Sequence, residues 1–150
     1  MNKKKLRVVW FTTMLLVMVL FFSAAGLPAL ATVQSRSSDY LSLYNGYIYP
    51  AGNGEIQVWF KVTGAGTQEA LGALSIQIYE STDNSNWTLV RAYSHNTYPN
   101  MMAYNTYYHS GHVDYQGVAG RYYRAMISIW GGGMTIGDNR HFYTSSKLAT

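Results

Sequence analysis

The stretch YYHSGHVDY, residues 107–115, contains the densest group of side chains that could bind a metal. His109 and His112 lie three residues apart, and Asp114 follows two residues later. Imidazole and carboxylate groups are zinc ligands, but a structural zinc site needs four of them. In an extended strand an odd separation places the two histidines on opposite faces, whereas a turn at Ser110-Gly111 would bring them together across a hairpin. We therefore predict no metal site, and His109, His112 and Asp114 are the candidates if one exists.

Other catalytic patterns are incomplete in this chain. Serines are numerous, but no G-x-S-x-G turn is present to expose one as a nucleophile. The seven acidic residues do not form an evident pair for glycoside hydrolysis. The loop STDNSN (81–86) is rich in oxygen donors, yet Asp83 is its only charge and the EF-hand spacing is missing. The absence of cysteine excludes thiol chemistry. We predict a protein that is not an enzyme and needs no cofactor; an exported hydrolase is the alternative.

The first 31 residues predict a helical secretory signal. Three lysines and an arginine precede an apolar run from 8 to 22, and small residues with Pro28 follow it. The small-x-small pattern Ala-Leu-Ala predicts cleavage between Ala31 and Thr32 and a secreted, extracellular protein. The alternative is an uncleaved membrane anchor formed by residues 8–25, since roughly 18 apolar residues can span a bilayer.

Cleavage would also change the charge of the protein. The chain has eleven basic and seven acidic residues, and four of the basic ones lie in the signal, so seven of each remain. The net charge of the mature part is therefore zero. Without a positive field to attract phosphate groups, the mature protein is not expected to bind nucleic acid.

Alternating apolar residues and regularly spaced turns predict an all-β fold for the mature chain. The clearest strand is 55–63, in which Ile56, Val58, Phe60 and Val62 share one face. The other predicted strands are 74–80, 87–94, 103–109, 113–118, 121–130 and 140–146, with the Gly-rich segment 64–73 as a connection and Ser110-Gly111 either turning between two strands or interrupting one. Seven or eight short strands indicate a single antiparallel β-sandwich. The predicted organisation is a signal (1–31), a flexible leader (32–39), the sandwich domain (40–146) and a tail (147–150).

The segment GVAGRYYRAMISIW resembles the corner and penultimate strand of immunoglobulin-like and fibronectin-III-like sandwiches. In those folds a tyrosine near the start of the strand bonds back to the backbone through its hydroxyl. The resemblance assigns this role to Tyr123, with Tyr122 as the alternative. Tyr123 is in phase with Ala125, Ile127 and Ile129, which are predicted to point inward.

The mature chain also resembles a group of small secreted proteins of Gram-positive bacteria. The shared elements are GNGEIQVWFKVTG, IQIYESTDNSNW, YQGVAGRYYRA and GDNRHF, in this order. The group has no assigned activity, so the resemblance implies a fold and export and transfers no functional residue.

Aromatic residues are the remaining unusual feature. All 14 tyrosines lie in the mature part, together with Trp59, Trp87 and Trp130. Rings that are not needed in the core would form a contact surface, and these three tryptophans are its candidates. We predict a secreted binding module for an extracellular protein or glycan. The alternative is a small exported effector, similar to a bacteriocin or toxin, that acts on the envelope of a neighbouring cell. Contact with a membrane is expected only if the signal is retained.

Overall fold

In the computed structural model, which describes residues 38–150, seven strands form one antiparallel, curled sheet. The predicted signal, its predicted cleavage site and residues 32–37 lie outside the described residues. The strands are β1 (Leu41–Gly52), β2 (Glu55–Ser81), β3 (Thr88–Ser94), β4 (Met102–Gln116), β5 (Tyr122–Gly132), β6 (Gly137–Tyr143) and β7 (Lys147–Leu148). A short 3-10 turn, Pro99–Met101, precedes β4. The all-β prediction is confirmed for this part of the chain. None of residues 38–150 belongs to a helix long and apolar enough to cross a membrane.

The central strand is β2, which is 27 residues long and pairs with four other strands. Residues 55–63 lie between β1 and β4, and the pairing with β4 extends to Gly72. From Ala70 onward the strand pairs with β5, and from Ser75 it also pairs with β3. The prediction of a connection over 64–73 is wrong, because this segment continues the strand. A shift in register between Thr63 and Gln68 interrupts the β4 ladder, and pairing resumes from Gln68. The glycine at Gly72 permits a close backbone approach, since a Cβ there would lie 2.2 Å from the carbonyl oxygen of Met101.

The core is formed by alternate residues of the strands, which share one face of each strand. Ile56, Val58, Phe60 and Val62 of β2 are fully buried, as the alternation predicted. The predicted inward set of β5, Tyr123, Ala125, Ile127 and Ile129, is fully buried as well. A Cβ on Gly46 of β1 would lie 2.5 Å from Cδ1 of Ile127, so β1 packs directly against the inward face of β5. Burial of each valine, isoleucine or phenylalanine side chain in these sets contributes about 1.5–3 kcal/mol to folding.

Strand β4 resolves the two alternatives for residues 103–118. It is one strand of 15 residues, and both Ser110 and Gly111 lie within its ladder with β2. No turn brings His109 and His112 together.

The C-terminal residues belong to the sheet, so the prediction of a tail over 147–150 is wrong. Strand β7 pairs with Tyr122 and Tyr123 at the start of β5. The carbonyl of Thr150 accepts a bond from the N–H of Gly54 at 2.9 Å, and Ala149 is buried. The segment is too short and too polar for periodicity to reveal it, and its partners are distant in sequence. At the other end, Ser38 of the predicted leader already bonds to the backbone of Leu41.

Candidate functional site

The two histidines named as candidates for a metal site lie on opposite faces of β4. His109 is opposite Val62, its Nε2 lies 3.0 Å from the carbonyl oxygen of Asn100, and its ring contacts the edge of Phe60. His112 is opposite Trp59 on the outer face. Within residues 38–150 no three histidine, cysteine, aspartate or glutamate side chains are grouped so that they could hold a metal ion.

In the loop after β2, the carboxylate of Asp83 accepts hydrogen bonds from other residues of the same loop. Asp83 accepts bonds from the backbone N–H groups of Asn86 and Ser85, at 2.8 and 2.9 Å, and from the hydroxyl of Ser81 at 2.8 Å. The side-chain amide of Asn86 bonds to the second carboxylate oxygen at 2.7 Å. The backbone bonds, that of Asn86 above all, hold the pKa of Asp83 well below its usual range. Both oxygens therefore have donors, which explains the oxygen-rich sequence of this loop without a cation.

A row of three stacked rings crosses the outer face of β1, β2 and β4. Tyr47, Trp59 and His112 are direct cross-strand neighbours. The rings of Tyr47 and Trp59 are parallel within 2° with centroids 6.2 Å apart, and those of Trp59 and His112 are 4.3 Å apart. Tyr47 is 41% exposed, and His112 is also exposed. We call these three residues the aromatic ladder.

Polar groups surround the aromatic ladder and fix its geometry. The indole N–H of Trp59 donates to Oε1 of Gln57 at 3.2 Å, so this ring is held in one orientation. The ammonium of Lys61 lies 5.9 Å from the centroid of the Tyr47 ring. On the far side, Oδ1 of Asp114 lies 3.8 Å from Nε2 of His112. Fixed rings among hydrogen-bonding groups are suited to contact with an amphipathic ligand.

The other two candidate tryptophans are in different environments. Trp87 packs on the guanidinium of Arg124, whose Cζ lies 4.4 Å from the ring centroid. Trp130 lines a depression of about 250 Å³ with mainly apolar neighbours, among them Met102, Tyr104 and Met134. The three tryptophans therefore do not form one surface.

A serine–histidine pair that the sequence did not reveal lies between β5 and β6. The hydroxyl of Ser128 is 2.8 Å from Nδ1 of His141 and 3.2 Å from the amide oxygen of Asn139. Ser128 is only 4% exposed. No carboxylate of residues 38–150 bonds to His141 to orient it as a base, as a Ser-His-Asp triad would require. Ser128 and His141 are directly opposite each other in the ladder of β5 with β6. The pair could therefore have been predicted only from the register of these two strands.

The residue proposed for the structural corner, Tyr123, is fully buried at the start of β5. Its hydroxyl accepts a bond from the backbone N–H of Val118, five residues upstream, at 2.8 Å. Tyr122 points to the other side of the strand and is partly exposed.

Comparison with known proteins leaves the chain without an assigned family. No protein-family model matches it, and no curated protein matches it. Among solved structures, a family 76 glycoside hydrolase from a bovine Bacteroides thetaiotaomicron strain is similar over 74% of this chain and 21% of its own, with a TM-score of 0.32 and 16% identity. A similarity of this size assigns neither a fold nor an activity to the chain.

Proposed function

We propose that this protein is a secreted, non-enzymatic binding module whose ligand packs on the aromatic ladder. The observation that supports this function is the stack of Tyr47, Trp59 and His112 on three neighbouring strands, in which the two end rings are exposed and Trp59 is half-buried. In this proposal the signal is cleaved between Ala31 and Thr32 and the mature chain acts outside the cell. A sheet face of this kind supports binding because its rings are already ordered, so little side-chain entropy is lost when a ligand packs on them.

The chemistry around the aromatic ladder favours an uncharged, hydroxyl-rich ligand such as a glycan. The flanking groups include both a cation, Lys61, and an anion, Asp114, so the surface has no strong charge of one sign. Amide and tyrosine groups supply donors and acceptors, and Tyr49 beside the ladder is 57% exposed. An extracellular protein surface with similar polarity is the second ligand class that fits.

We further propose that the curled sheet is a sandwich of the immunoglobulin or fibronectin-III kind. Two features support this assignment. The long strand β2 pairs with β1 and β4 toward its start and with β5 and β3 toward its end. The bond from the N–H of Val118 to the Tyr123 hydroxyl runs to backbone a few residues upstream, as in the tyrosine corner of such folds. An experimental structure that superimposes its strands on that topology, or fails to, is the test.

The function is tested by measuring binding of the purified protein to isolated cell-envelope polysaccharide. Trp59→Ala is expected to weaken binding at least tenfold, because loss of a central aromatic contact costs about 2 kcal/mol or more. Tyr107→Ala is the matched control, since Tyr107 is a 65% exposed aromatic residue outside the aromatic ladder. Trp59→Ala is expected to lower the melting temperature because the ring is half-buried, so binding is compared at a temperature at which all the proteins are folded.

Equal binding by Trp59→Ala and the parent, with both folded, would exclude the aromatic ladder as the ligand surface. Growth inhibition of neighbouring bacteria by the parent protein would favour the exported effector instead. Turnover in a broad hydrolase screen would overturn the non-enzymatic assignment. N-terminal sequencing of the protein from the culture medium tests the cleavage site.

A further inference from the structure

The guanidinium of Arg124 lies among three aromatic rings on the outer face of β5. Its Cζ is 4.4 Å from the ring centroid of Trp87, 4.8 Å from that of Tyr143 and 5.8 Å from that of Tyr79. Tyr79 is its direct neighbour on β2, and Tyr143 comes from β6. Groups of aromatic rings bind external cations in other proteins, but here the protein's own side chain occupies that position.

This arginine has no acidic partner among residues 38–150. Arg121 lies 3.3 Å from Glu80 and Arg140 lies 3.6 Å from Asp138, but no ion pair includes Arg124. Its Nε is buried and has no hydrogen-bond acceptor. The two Nη groups are therefore the donors that remain for a ligand. The cation is partly desolvated by the rings and is not neutralised within the described chain.

We propose that Arg124, Trp87, Tyr79 and Tyr143 form a binding site for an oxyanion, a carboxylate or a phosphate group carried by a sugar or polymer. A guanidinium matches both groups because it can donate two parallel N–H bonds to two oxygens. The rings hold the guanidinium in one orientation, and they reduce the water that competes for it. Trp87 adds an apolar ring on which the body of the ligand can pack.

The neighbouring hydroxyls are compatible with a negative ligand. Burial raises the pKa of Tyr79, and the Tyr143 hydroxyl adds to this effect, so Tyr79 stays protonated near neutral pH. Its hydroxyl donates to Oε1 of Gln77 at 2.8 Å, which fixes the ring beside the guanidinium. This site uses β2, β5, β6 and the residue before β3, whereas the aromatic ladder uses β1, β2 and β4. The proposal is therefore independent of the function assigned to the ladder.

The proposal is tested by NMR titration of the labelled protein with inorganic phosphate and, separately, with glucuronate, at constant ionic strength set by chloride. We expect saturable shifts of the Arg124 Nε–H and Trp87 indole N–H signals with at least one of the two anions. Arg124→Gln is expected to raise the half-saturation concentration of the Trp87 signal about tenfold or more, because the bidentate, charge-assisted bonds are lost. Saturation by phosphate alone would show that the site binds phosphate groups, and saturation by glucuronate alone would show that it binds carboxylates.

Arg91→Gln is the matched control. Arg91 also lies over a tyrosine ring, 5.2 Å from the centroid of Tyr93, but it is exposed and bonds to the Tyr98 hydroxyl. We expect its titration to equal that of the parent. A linear, unsaturated response to both anions, or an unchanged midpoint in Arg124→Gln, would overturn the proposal. If Arg124→Gln does not fold, Arg124→Lys is the substitute, because lysine keeps the positive charge but cannot donate two parallel N–H bonds. An unchanged titration midpoint in Arg124→Lys would equally refute bidentate binding.

Discussion

The hydroxyl of Tyr123 donates to Oε2 of Glu80 at 2.5 Å, and the two residues are direct cross-strand neighbours in the ladder of β2 with β5. The same hydroxyl accepts the N–H of Val118, while the other carboxylate oxygen of Glu80 receives Arg121 at 3.3 Å. The Tyr123 hydroxyl therefore forms hydrogen bonds with both the backbone N–H of Val118 and the carboxylate of Glu80. Loss of this single oxygen would leave the N–H of Val118 without its acceptor and Oε2 of Glu80 without its donor.

Tyr123→Phe is expected to lower the free energy of unfolding by about 1–3 kcal/mol, the cost of leaving a buried polar group unsatisfied. Tyr122→Phe is the control, because Tyr122 points to the opposite side of the strand and is expected to cost much less. Urea unfolding of both variants measures the difference. A larger cost for Tyr122→Phe would contradict the importance of the Tyr123 bonds.

The stability that Tyr123 provides is expected to disappear at alkaline pH. Burial and the bond to Glu80 raise the pKa of Tyr123 to about 12 in the folded protein, against about 10 for a free tyrosine. Folding therefore favours the protonated phenol, and its contribution is fully present below pH about 10 and lost as the pH rises through about 12. The difference in unfolding free energy between the parent and Tyr123→Phe should shrink across this interval. A difference that stays constant would show that the phenol does not titrate with a raised pKa.

Deletion of residues 147–150 is expected to destabilise the protein by about 2–5 kcal/mol, since several backbone bonds of about 0.5–1.5 kcal/mol each would be lost. These include the bond from Gly54 to Thr150 and the pair between Ala149 and residues 120 and 121. Lys147→Ala should have little effect, because that exposed side chain is not part of the bonding. Thermal unfolding compares the two variants. Equal melting temperatures for the deletion and the parent would mean that β7 does not stabilise the sheet.

Chelation is expected to leave the melting temperature unchanged. His109 and His112 point to opposite faces of β4, so no metal-binding energy from them can contribute to folding. A decrease of more than a few degrees in EDTA would contradict this and would make His109, His112 and Asp114 the first residues to substitute.

The parts of the fold with regular alternation were predictable from sequence. The inward sets of 55–63 and 121–130 follow from a period of two, and each is buried as expected. The segment 64–73 was not predictable, because glycine usually marks a turn while here Gly72 permits a close approach of Met101. That approach depends on the 3-10 turn before β4, which lies much further along the chain.

The site was less accessible to sequence reasoning than the fold. Trp59 could be placed on the outer face of its strand, but its neighbours Tyr47 and His112 depend on the register of two other strands. The same limit applies to Arg124, whose three rings come from residues 79, 87 and 143. Composition reveals the excess of rings, and only cross-strand pairing reveals which rings meet.

The length of β2 also has a kinetic consequence. Gly72, near its middle, pairs with Met102 on one side and with Trp130 on the other. Its hydrogen bonds therefore cannot all form until nearly the whole chain has emerged from the ribosome. Contacts between residues so far apart in sequence slow folding, and no N-terminal fragment that lacks β5 contains a complete sheet. Folding of this protein is therefore a late event in its synthesis, and a chain shortened before β5 should remain sensitive to proteases.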